Sequence, residues 1–282
     1  MMKTLKPKEI QKMLNKNSLD TICASLTYAM GIEAPNVAAA PNEDLVAYID
    51  KVFGGEKADR ILMFNPDAVA QWIYEKYASF CREAKHYTEI EIPLRSVMPS
   101  VTPVCFATMY TGAQPAVHGI QKYTKPVLTV ETIFDAMVKA DRKCAIITSG
   151  DCSMSKIFLE RKIDYLHYSR GEAVNRVNAM AAEAIIQDKY DFIAVYNGNY
   201  DSIMHKFGPE SLEAISELRA NSIDFATLSN LVESNWKKHN SLVGFAMDHG
   251  CHEIDGNCGA HGLDMEEDLN IVHLYKGYPR SI

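Results

Sequence analysis

Arg60-Ile-Leu-Met-Phe-Asn-Pro66, followed at once by Asp67, is the stretch that decides the fold. Its near-continuous apolar run predicts a short buried strand that ends at the proline, with a carboxylate at its carboxyl end. Apolar strands of this kind are typical of a sheet covered on both faces. Two later stretches have the same form: Asp191-Phe-Ile-Ala-Val-Tyr196 with Asp201 beyond it, and Ser241-Leu-Val-Gly-Phe-Ala-Met247 ending in Asp248-His249.

Segments with apolar residues at helical spacing separate these strands, and this alternation predicts an α/β fold. We expect a three-layer sandwich with a central, mostly parallel sheet, and Cys144–Thr148 and Asn270–Tyr275 as further strands. The predicted helices cover Ala68–Phe80, Val130–Ala140, Gly171–Gln187 and Pro209–Trp236.

No repeat, low-complexity tract or linker divides the chain, so a single domain over residues 1–282 is the default. The helical spacing of apolar residues in residues 1–58 predicts a helical N-terminal extension, which the turn-rich Gly31–Asn42 segment interrupts. We expect residues 60–277 to form the catalytic core. The sequence of the extension contains no recognisable catalytic or ligand-binding motif. Packing on the sheet, shaping the site entrance and forming a homodimer are the roles open to it.

Composition narrows the class of protein. The net charge of -7 argues against a nucleic-acid polymer or a membrane surface as partner, whereas excess carboxylates suit a protein that holds cations. Met1–Gln11 lacks the apolar core of a signal peptide and no later run is long enough to span a bilayer, so we expect a cytoplasmic protein. The seven cysteines show no CxxC spacing, which indicates reduced thiols, several of them buried.

A candidate nucleophile lies in Ser-Val-Thr-Pro-Val-Cys-Phe-Ala-Thr-Met-Tyr-Thr-Gly, residues 100–112. Thr102 stands just ahead of Pro103 and an apolar run that predicts a helix start, since proline is well tolerated at the first helical position. A helix N-terminus favours an anion. Threonine is a poor nucleophile alone, however, and needs a base or a metal supplied by another part of the chain.

Acidic groups and histidines that follow the predicted strands could provide the base or bind the metal. Ligands bind outside the carboxyl ends of strands in open α/β sheets, so Asp67, Asp201 and Asp248-His249 should converge on one edge. His205 follows Asp201 by four residues, which places both on one side of a helix, and His261 follows the Gly250–Gly259 loop.

Three carboxylates and three histidines form a mixed nitrogen and oxygen ligand set. Such a set suits zinc, and also manganese or iron. Two divalent cations would nearly balance three carboxylates and a threonine alkoxide, which makes a metal-held Thr102 alkoxide a reasonable hypothesis.

The arrangement resembles the alkaline phosphatase superfamily, most closely its type I phosphodiesterase/nucleotide pyrophosphatase branch. The matching pieces run from about residue 60 to 277 in a specific order. They are Asp67, Thr102-Pro103, Tyr110-Thr-Gly-Ala113, Pro115-Ala-Val-His-Gly-Ile120, Asp201-Ser-Ile-Met-His-Lys-Phe-Gly-Pro209, Asp248-His-Gly250 and His261-Gly262.

This resemblance implies two divalent ions, most simply zinc with manganese as the alternative, and a small phosphate ester as substrate. Thr102 would attack phosphorus and form a phospho-threonine that water then hydrolyses. The implied ligands are Asp67, Thr102, Asp248 and His249 for one ion, and Asp201, His205 and His261 for the other.

Two departures from the family pattern concern the substrate. The branch often carries an asparagine three residues after the nucleophile that helps to bind phosphoryl oxygens, and this chain has Cys105 there, which makes Cys105 a candidate substrate-binding residue. The glycine often found after the first aspartate is Ala68.

The remaining polar residues near these motifs have simpler interpretations. His118 is interpreted as structural, holding a loop near the site. His252, Asp255 and His273 fall outside the pattern and are assigned to solvated loop or strand positions.

The leading hypothesis is therefore a two-metal hydrolase of phosphodiesters, nucleotide pyrophosphates or phosphomonoesters. One alternative keeps the site and changes the reaction to phosphonate hydrolysis or phosphomutase chemistry. The other alternative is a non-catalytic metal-binding domain.

Overall fold

The computed structural model describes residues 14–168 and 175–281. Within these ranges the strands form one eight-stranded sheet and one two-stranded hairpin. The order across the large sheet is β1-β3-β10-β7-β2-β6-β4-β5, and β8 pairs with β9. In chain order the strands are β1 (Asn17–Ser18), β2 (Arg60–Pro66), β3 (Ile90–Arg95), β4 (Cys144–Ser149), β5 (Asp164–Tyr168), β6 (Phe192–Asn197), β7 (Ser241–Ala246), β8 (His252–Ile254), β9 (Cys258–Ala260) and β10 (Asn270–Tyr278).

The large sheet is mostly parallel, as predicted. Only β10 runs antiparallel to its neighbours β3 and β7, and the other pairings are parallel. Strand β2 lies between β7 and β6, and apart from Arg60 every residue of these three strands is buried. These central strands are therefore covered on both faces, which explains their continuous apolar sequence.

Helices surround the sheet and complete the predicted three-layer α/β architecture. Thr102–Thr111 packs against Thr21–Met30 and Ser153–Ile157, while Leu212–Asn235 packs against Asn175–Gln187 and Asn199–Phe207. The other helices among the described residues are Glu43–Phe53, Gln71–Lys76, Arg82–His86, Pro115–His118, Ile133–Lys139 and Glu266–Leu269, with a 3-10 turn at Ala78–Phe80.

The helix predicted over Ala68–Phe80 is wrong in its first turn. Ala68 has φ +60°, in the left-handed region, and its N–H donates to the Asp248 carboxylate (3.1 Å), so the α-helix begins only at Gln71. It ends at Lys76, and a 3-10 turn covers Ala78–Phe80. The predicted Val130–Ala140 helix is shorter because a capping box between Thr132 and Asp135 fixes its start at Ile133.

Other boundaries shift by a few residues. The helix predicted over Gly171–Gln187 is observed from Asn175, and residues 171–174 lie outside the described part of the chain. Strands β1, β3 and β5 were not predicted from the sequence, and the segment expected to be a Gly250–Gly259 loop contains the β8–β9 hairpin.

The N-terminal segment contributes to the sheet and to the helix that begins at Thr102. Strand β1 pairs in parallel with β3, and the N–H of Ala39 donates to the carbonyl of Gly112 (2.7 Å). Gly112 ends that helix with φ +72°, and a Cβ there would lie 2.8 Å from the Cα of Ala38. Only glycine meets both requirements. Residues before position 14 lie outside the described structure.

The cysteines agree with the expectation of reduced thiols, several of them buried. All seven cysteines are free thiols and five of them are buried. In the described part of the chain, no helix has the length and apolar character needed to cross a membrane.

Candidate metal centre

Three adjacent strands at the centre of the sheet deliver the predicted metal ligands. Asp67 follows β2, Asp248 and His249 follow β7, and Asp201 lies in the helix Asn199–Phe207 that begins directly after β6. Because β7, β2 and β6 are parallel neighbours, their carboxyl ends meet at one edge of the sheet.

The predicted ligands form two groups, each with one ligand atom per residue lying within 4.8 Å of the others. The buried cluster consists of Asp67, Asp248 and His249, whose exposed fractions do not exceed 1%. The outer cluster consists of Asp201, His205 and His261, and it is more open, since the His205 side chain is 43% exposed. The His249 and His261 rings join the clusters, with centroids 4.2 Å apart.

Thr102 lies against the buried cluster. Its Oγ1 atom is 3.5 and 3.4 Å from the two carboxylate oxygens of Asp67 and 3.4 Å from Nε2 of His249. Thr102 is the first residue of the helix and Val101 occupies the capping position. The hydroxyl is therefore directed at the candidate ligands and does not cap the helix.

Backbone carbonyls determine the tautomer of the three clustered histidines. The Nδ1 atoms of His205, His249 and His261 lie 2.9, 2.9 and 3.0 Å from the carbonyl oxygens of Gly259, Gly250 and Ser100. A carbonyl only accepts hydrogen bonds, so each Nδ1 carries the hydrogen and each neutral ring has its lone pair on Nε2. This is the tautomer that metal-ligating histidines use.

The Nε2 atoms face one another and unpaired carboxylate oxygens. The Nε2 atoms of His205 and His261 are 3.1 Å apart, and they lie 3.2 and 3.3 Å from Oδ1 of Asp201. That oxygen and Oδ2 of Asp248 are buried and have no hydrogen-bond partner among the described residues. A cation placed among these lone pairs would satisfy all of them, so the donors present fit divalent metal ions.

Burial and mutual repulsion shape the charge of the buried cluster. Burial, together with the neighbouring Asp248 and Asp201 carboxylates, raises the pKa of Asp67 well above its usual range. Burial raises the pKa of Asp248 to about 7 and lowers that of His249. Nearby cations reverse this balance by favouring the ionised carboxylates.

Residues that sequence reasoning missed hold the ligands in place. The Tyr196 hydroxyl donates to Oδ2 of Asp67, and the N–H groups of Ala68 and His249 donate to Oδ1 of Asp248 (3.1 and 2.9 Å). Tyr196 lies at the carboxyl end of β6. Because the ends of neighbouring parallel strands meet at the site, this position in the sequence could have identified Tyr196 as a site residue.

The two departures from the family pattern are placed as follows. Cys105 is fully buried, and its Sγ atom lies 3.2 Å from the hydroxyl of Ser96, which in turn donates to the carbonyl of Asp248 (2.7 Å). Ala68 has φ +60°, a conformation that glycine adopts more easily.

The other histidines lie outside both clusters. Nδ1 of His118 accepts the N–H of Ile120 (3.2 Å), so Nε2 donates to the Thr108 hydroxyl (3.0 Å) and braces the loop. The prediction of solvated positions is wrong for two residues. His252 is 9% exposed and pairs with Asp268 (2.7 Å), and His273 is fully buried and bonds to the carbonyl of Met247 (2.7 Å).

These two histidines escaped prediction because partners distant in sequence compensate their burial. Asp255 is exposed, as expected.

The family described as type I phosphodiesterase/nucleotide pyrophosphatase matches residues 64–134, a stretch that contains Asp67 and Thr102. No curated protein sequence matches the chain.

Solved structures share the fold at low sequence identity. Phosphonoacetate hydrolase from Sinorhizobium meliloti 1021, in complex with phosphonoformate, is 18% identical over 69% of this chain and 57% of its own, with a TM-score of 0.52. Human ectonucleotide pyrophosphatase/phosphodiesterase 5 is 15% identical over 70% of this chain and 58% of its own (TM-score 0.56). The murine protein is 16% identical over the same shares (TM-score 0.55).

The chain thus spans less than two thirds of the length of these proteins. The alkaline-phosphatase-like fold and the resemblance to the phosphodiesterase branch, both predicted from the motifs, are confirmed.

Proposed function

We propose that this chain is a two-metal hydrolase of phosphate esters that uses Thr102 as its nucleophile. One observation carries the proposal. The Thr102 hydroxyl lies 3.4 Å from His249 Nε2, beside two clusters whose lone pairs and unpaired carboxylate oxygens face each other. Unpaired polar atoms destabilise a packed core, whereas two bound divalent cations would compensate them.

The buried cluster with Thr102 would hold one ion and the outer cluster the other. Zinc suits the mixed nitrogen and oxygen donors, and manganese is the alternative. Bound there, the ions would supply Lewis acidity to the phosphoryl and leaving oxygens and would lower the pKa of the threonine hydroxyl.

The protein's own groups then perform the transfer. Thr102 Oγ1 loses its proton to water and attacks phosphorus, and the ester oxygen leaves with the electron pair of its P–O bond and takes up a proton from water, so that a phospho-threonine and an alcohol result. Water hydrolyses this phosphoester and restores the hydroxyl. The buried cluster fixes the position of Oγ1, while the more open outer cluster leaves room for substrate.

The relatives support this choice of reaction. The murine pyrophosphatase/phosphodiesterase is described in an inactive threonine-to-alanine variant in complex with AMP, and the matched family is one of phosphodiesterases. The phosphonoacetate hydrolase structures favour phosphonate hydrolysis as a second candidate. Phosphomutase chemistry and a non-catalytic metal-binding domain are further alternatives.

A substrate panel separates these candidates. Purified protein with added Zn²⁺ or Mn²⁺ is assayed for phosphate or alcohol release from aryl phosphate monoesters, aryl diesters, nucleotide pyrophosphates and a phosphonate. We expect ester turnover that requires metal and is lost in Thr102→Ala. Cleavage of the phosphonate alone would favour the second candidate. Metal binding with no cleavage of any compound would contradict hydrolysis.

A further inference from the structure

Tyr196 touches the buried cluster from the end of β6. Its hydroxyl donates to Oδ2 of Asp67, and the residue is only 8% exposed. Its ring packs edge-on against Phe106, with centroids 5.5 Å apart and an interplanar angle of 81°. Phe106 lies one turn beyond Thr102 on the same helix, so this ring contact ties the start of that helix to the strand.

Gly198 makes room for the phenol. A Cβ at this position would lie 2.7 Å from the Tyr196 hydroxyl oxygen and 3.1 Å from the adjoining ring carbon. The φ of Gly198 is -97°, which any residue adopts. The glycine is therefore required for space, and the space is occupied by the Tyr196 hydroxyl.

This contact gives the two oxygens of Asp67 different surroundings. Thr102 Oγ1 lies near both oxygens, but only Oδ2 accepts the Tyr196 hydroxyl, while Oδ1 lies 3.4 Å from Nε2 of His249. We propose that Tyr196 is a positioning residue that holds Asp67 through Oδ2, so that Oδ1 alone binds the cation beside Thr102.

The proposal rests on the proposed two-metal function and names a residue that acts through a ligand. Without the phenol, a carboxylate is free to turn about its side-chain bonds or to present both oxygens to the metal. Hydrogen-bond partners of metal ligands typically contribute about 10- to 100-fold to metal affinity or activity.

Calorimetric titration of the metal-free protein with Zn²⁺ alone tests this role. We expect Tyr196→Phe to weaken one of two binding sites by about 10- to 100-fold and to leave the other unchanged. Tyr200→Phe is the matched control, because the buried Tyr200 hydroxyl donates to the carbonyl of Pro209 and to neither cluster. Both of its sites should bind as in the wild type.

A double-mutant cycle with Gly198→Ala makes the test specific for the hydroxyl. The added methyl should displace the phenol and weaken the same site, and it should have a much smaller effect in the Tyr196→Phe background, where the hydroxyl is absent. Additive losses, or unchanged Zn²⁺ binding by Tyr196→Phe, would overturn the positioning role. A wild-type protein that binds no Zn²⁺ would instead refute the proposed function itself.

Discussion

Thr102 is a hydroxyl whose reactivity depends on its surroundings. An isolated threonine is not ionised near neutral pH. Here Oγ1 lies within 3.5 Å of both oxygens of Asp67 and of His249 Nε2, where a bound cation would favour the alkoxide. The proposed function therefore predicts that loss of the Thr102 hydroxyl abolishes turnover and leaves most of the metal binding intact.

The Thr102→Ala variant should lose at least about 10³-fold in kcat because no other hydroxyl takes the place of the nucleophile. Metal binding should remain, since the variant retains three protein ligands at the buried cluster and all three at the outer cluster. Steady-state kinetics and metal content are measured on the same preparation. A variant that keeps wild-type kcat would exclude Thr102 as nucleophile.

Substrate binding by Cys105 is untested, and the contacts of the thiol favour a packing role. The thiol is fully buried against Ser96, whose hydroxyl supports the carbonyl of Asp248. We expect Cys105→Ala to lower the free energy of unfolding by about 1 kcal/mol through lost packing, with KM unchanged. Denaturant unfolding and KM are compared with wild type, and a raised KM at unchanged stability would instead indicate substrate contact.

At the scale of elements, the loop after β7 depends on a close backbone approach. A Cβ at Gly250 would lie 2.0 Å from the carbonyl oxygen of Glu267, and the carbonyl of Gly250 orients His249. The glycine of the Asp248-His-Gly250 motif is therefore explained by packing next to a ligand.

Gly250→Ala should cost about 1–3 kcal/mol of stability and also weaken metal binding at the buried cluster, because relief of the clash moves the carbonyl that orients His249. Gly256→Ala, in the turn between β8 and β9, is the control. Its Cβ meets open space, so only its φ of +87° should cost about 1 kcal/mol. Unfolding curves and Zn²⁺ titrations are compared, and equal metal affinities in the two variants would contradict the explanation.

The sequence predicts the central strands well because both of their faces are buried. Strands β2, β4, β6 and β7 were recognised within one or two residues from their apolar runs. Strand β3 alternates exposed and buried side chains and contains Pro93, and β5 is short and rich in polar residues. Pro93 counts against a central strand despite the alternation in β3, and the pattern of β5 is too short to distinguish a strand from a loop.

Asp67, Asp201 and Asp248-His249 could be placed at one edge as candidate ligands because each comes after a recognisable strand, whereas His261 follows a glycine-rich segment that was not recognised as a hairpin. Their division into two groups was implied by the family resemblance, whereas the deeper burial of one group was not predicted. Tyr196, Ser96 and Gly198 were not predicted, since their roles depend on contacts between strands whose order the sequence does not specify.

At the scale of the whole molecule, metal ions should stabilise the fold. The buried cluster brings two carboxylates and a lone pair together without hydrogen-bond partners for every oxygen. A ligand present at about 1,000 times its Kd stabilises a protein by about 4 kcal/mol. Thermal unfolding should therefore move several degrees higher with Zn²⁺ and return on chelation, and a Tm indifferent to both would count against the site.

We expect the buried His273 to make the free energy of unfolding depend on pH. Burial lowers the pKa of His273 from about 6.5 to about 4. Between these values the unfolded chain binds a proton that the folded protein does not, so stability decreases as the pH falls. The loss should be about 2 kcal/mol between pH 7 and pH 5.

His273→Gln should remove that component, because the amide does not titrate. Urea unfolding of both proteins in chelator at pH 7, 6 and 5 measures it, and the difference between them isolates His273 from the clusters. Parallel curves for the two proteins would refute this assignment.

The most direct measurement of the central claim is the number of divalent ions per chain. Metal-free protein is saturated with Zn²⁺, freed of excess ion and analysed for metal by mass spectrometry, alongside Asp201→Ala and Asp248→Ala variants. We expect two ions per chain in the wild type and one in each variant, because each substitution removes a carboxylate from a different cluster. Fewer than one ion per wild-type chain would contradict the two-metal site.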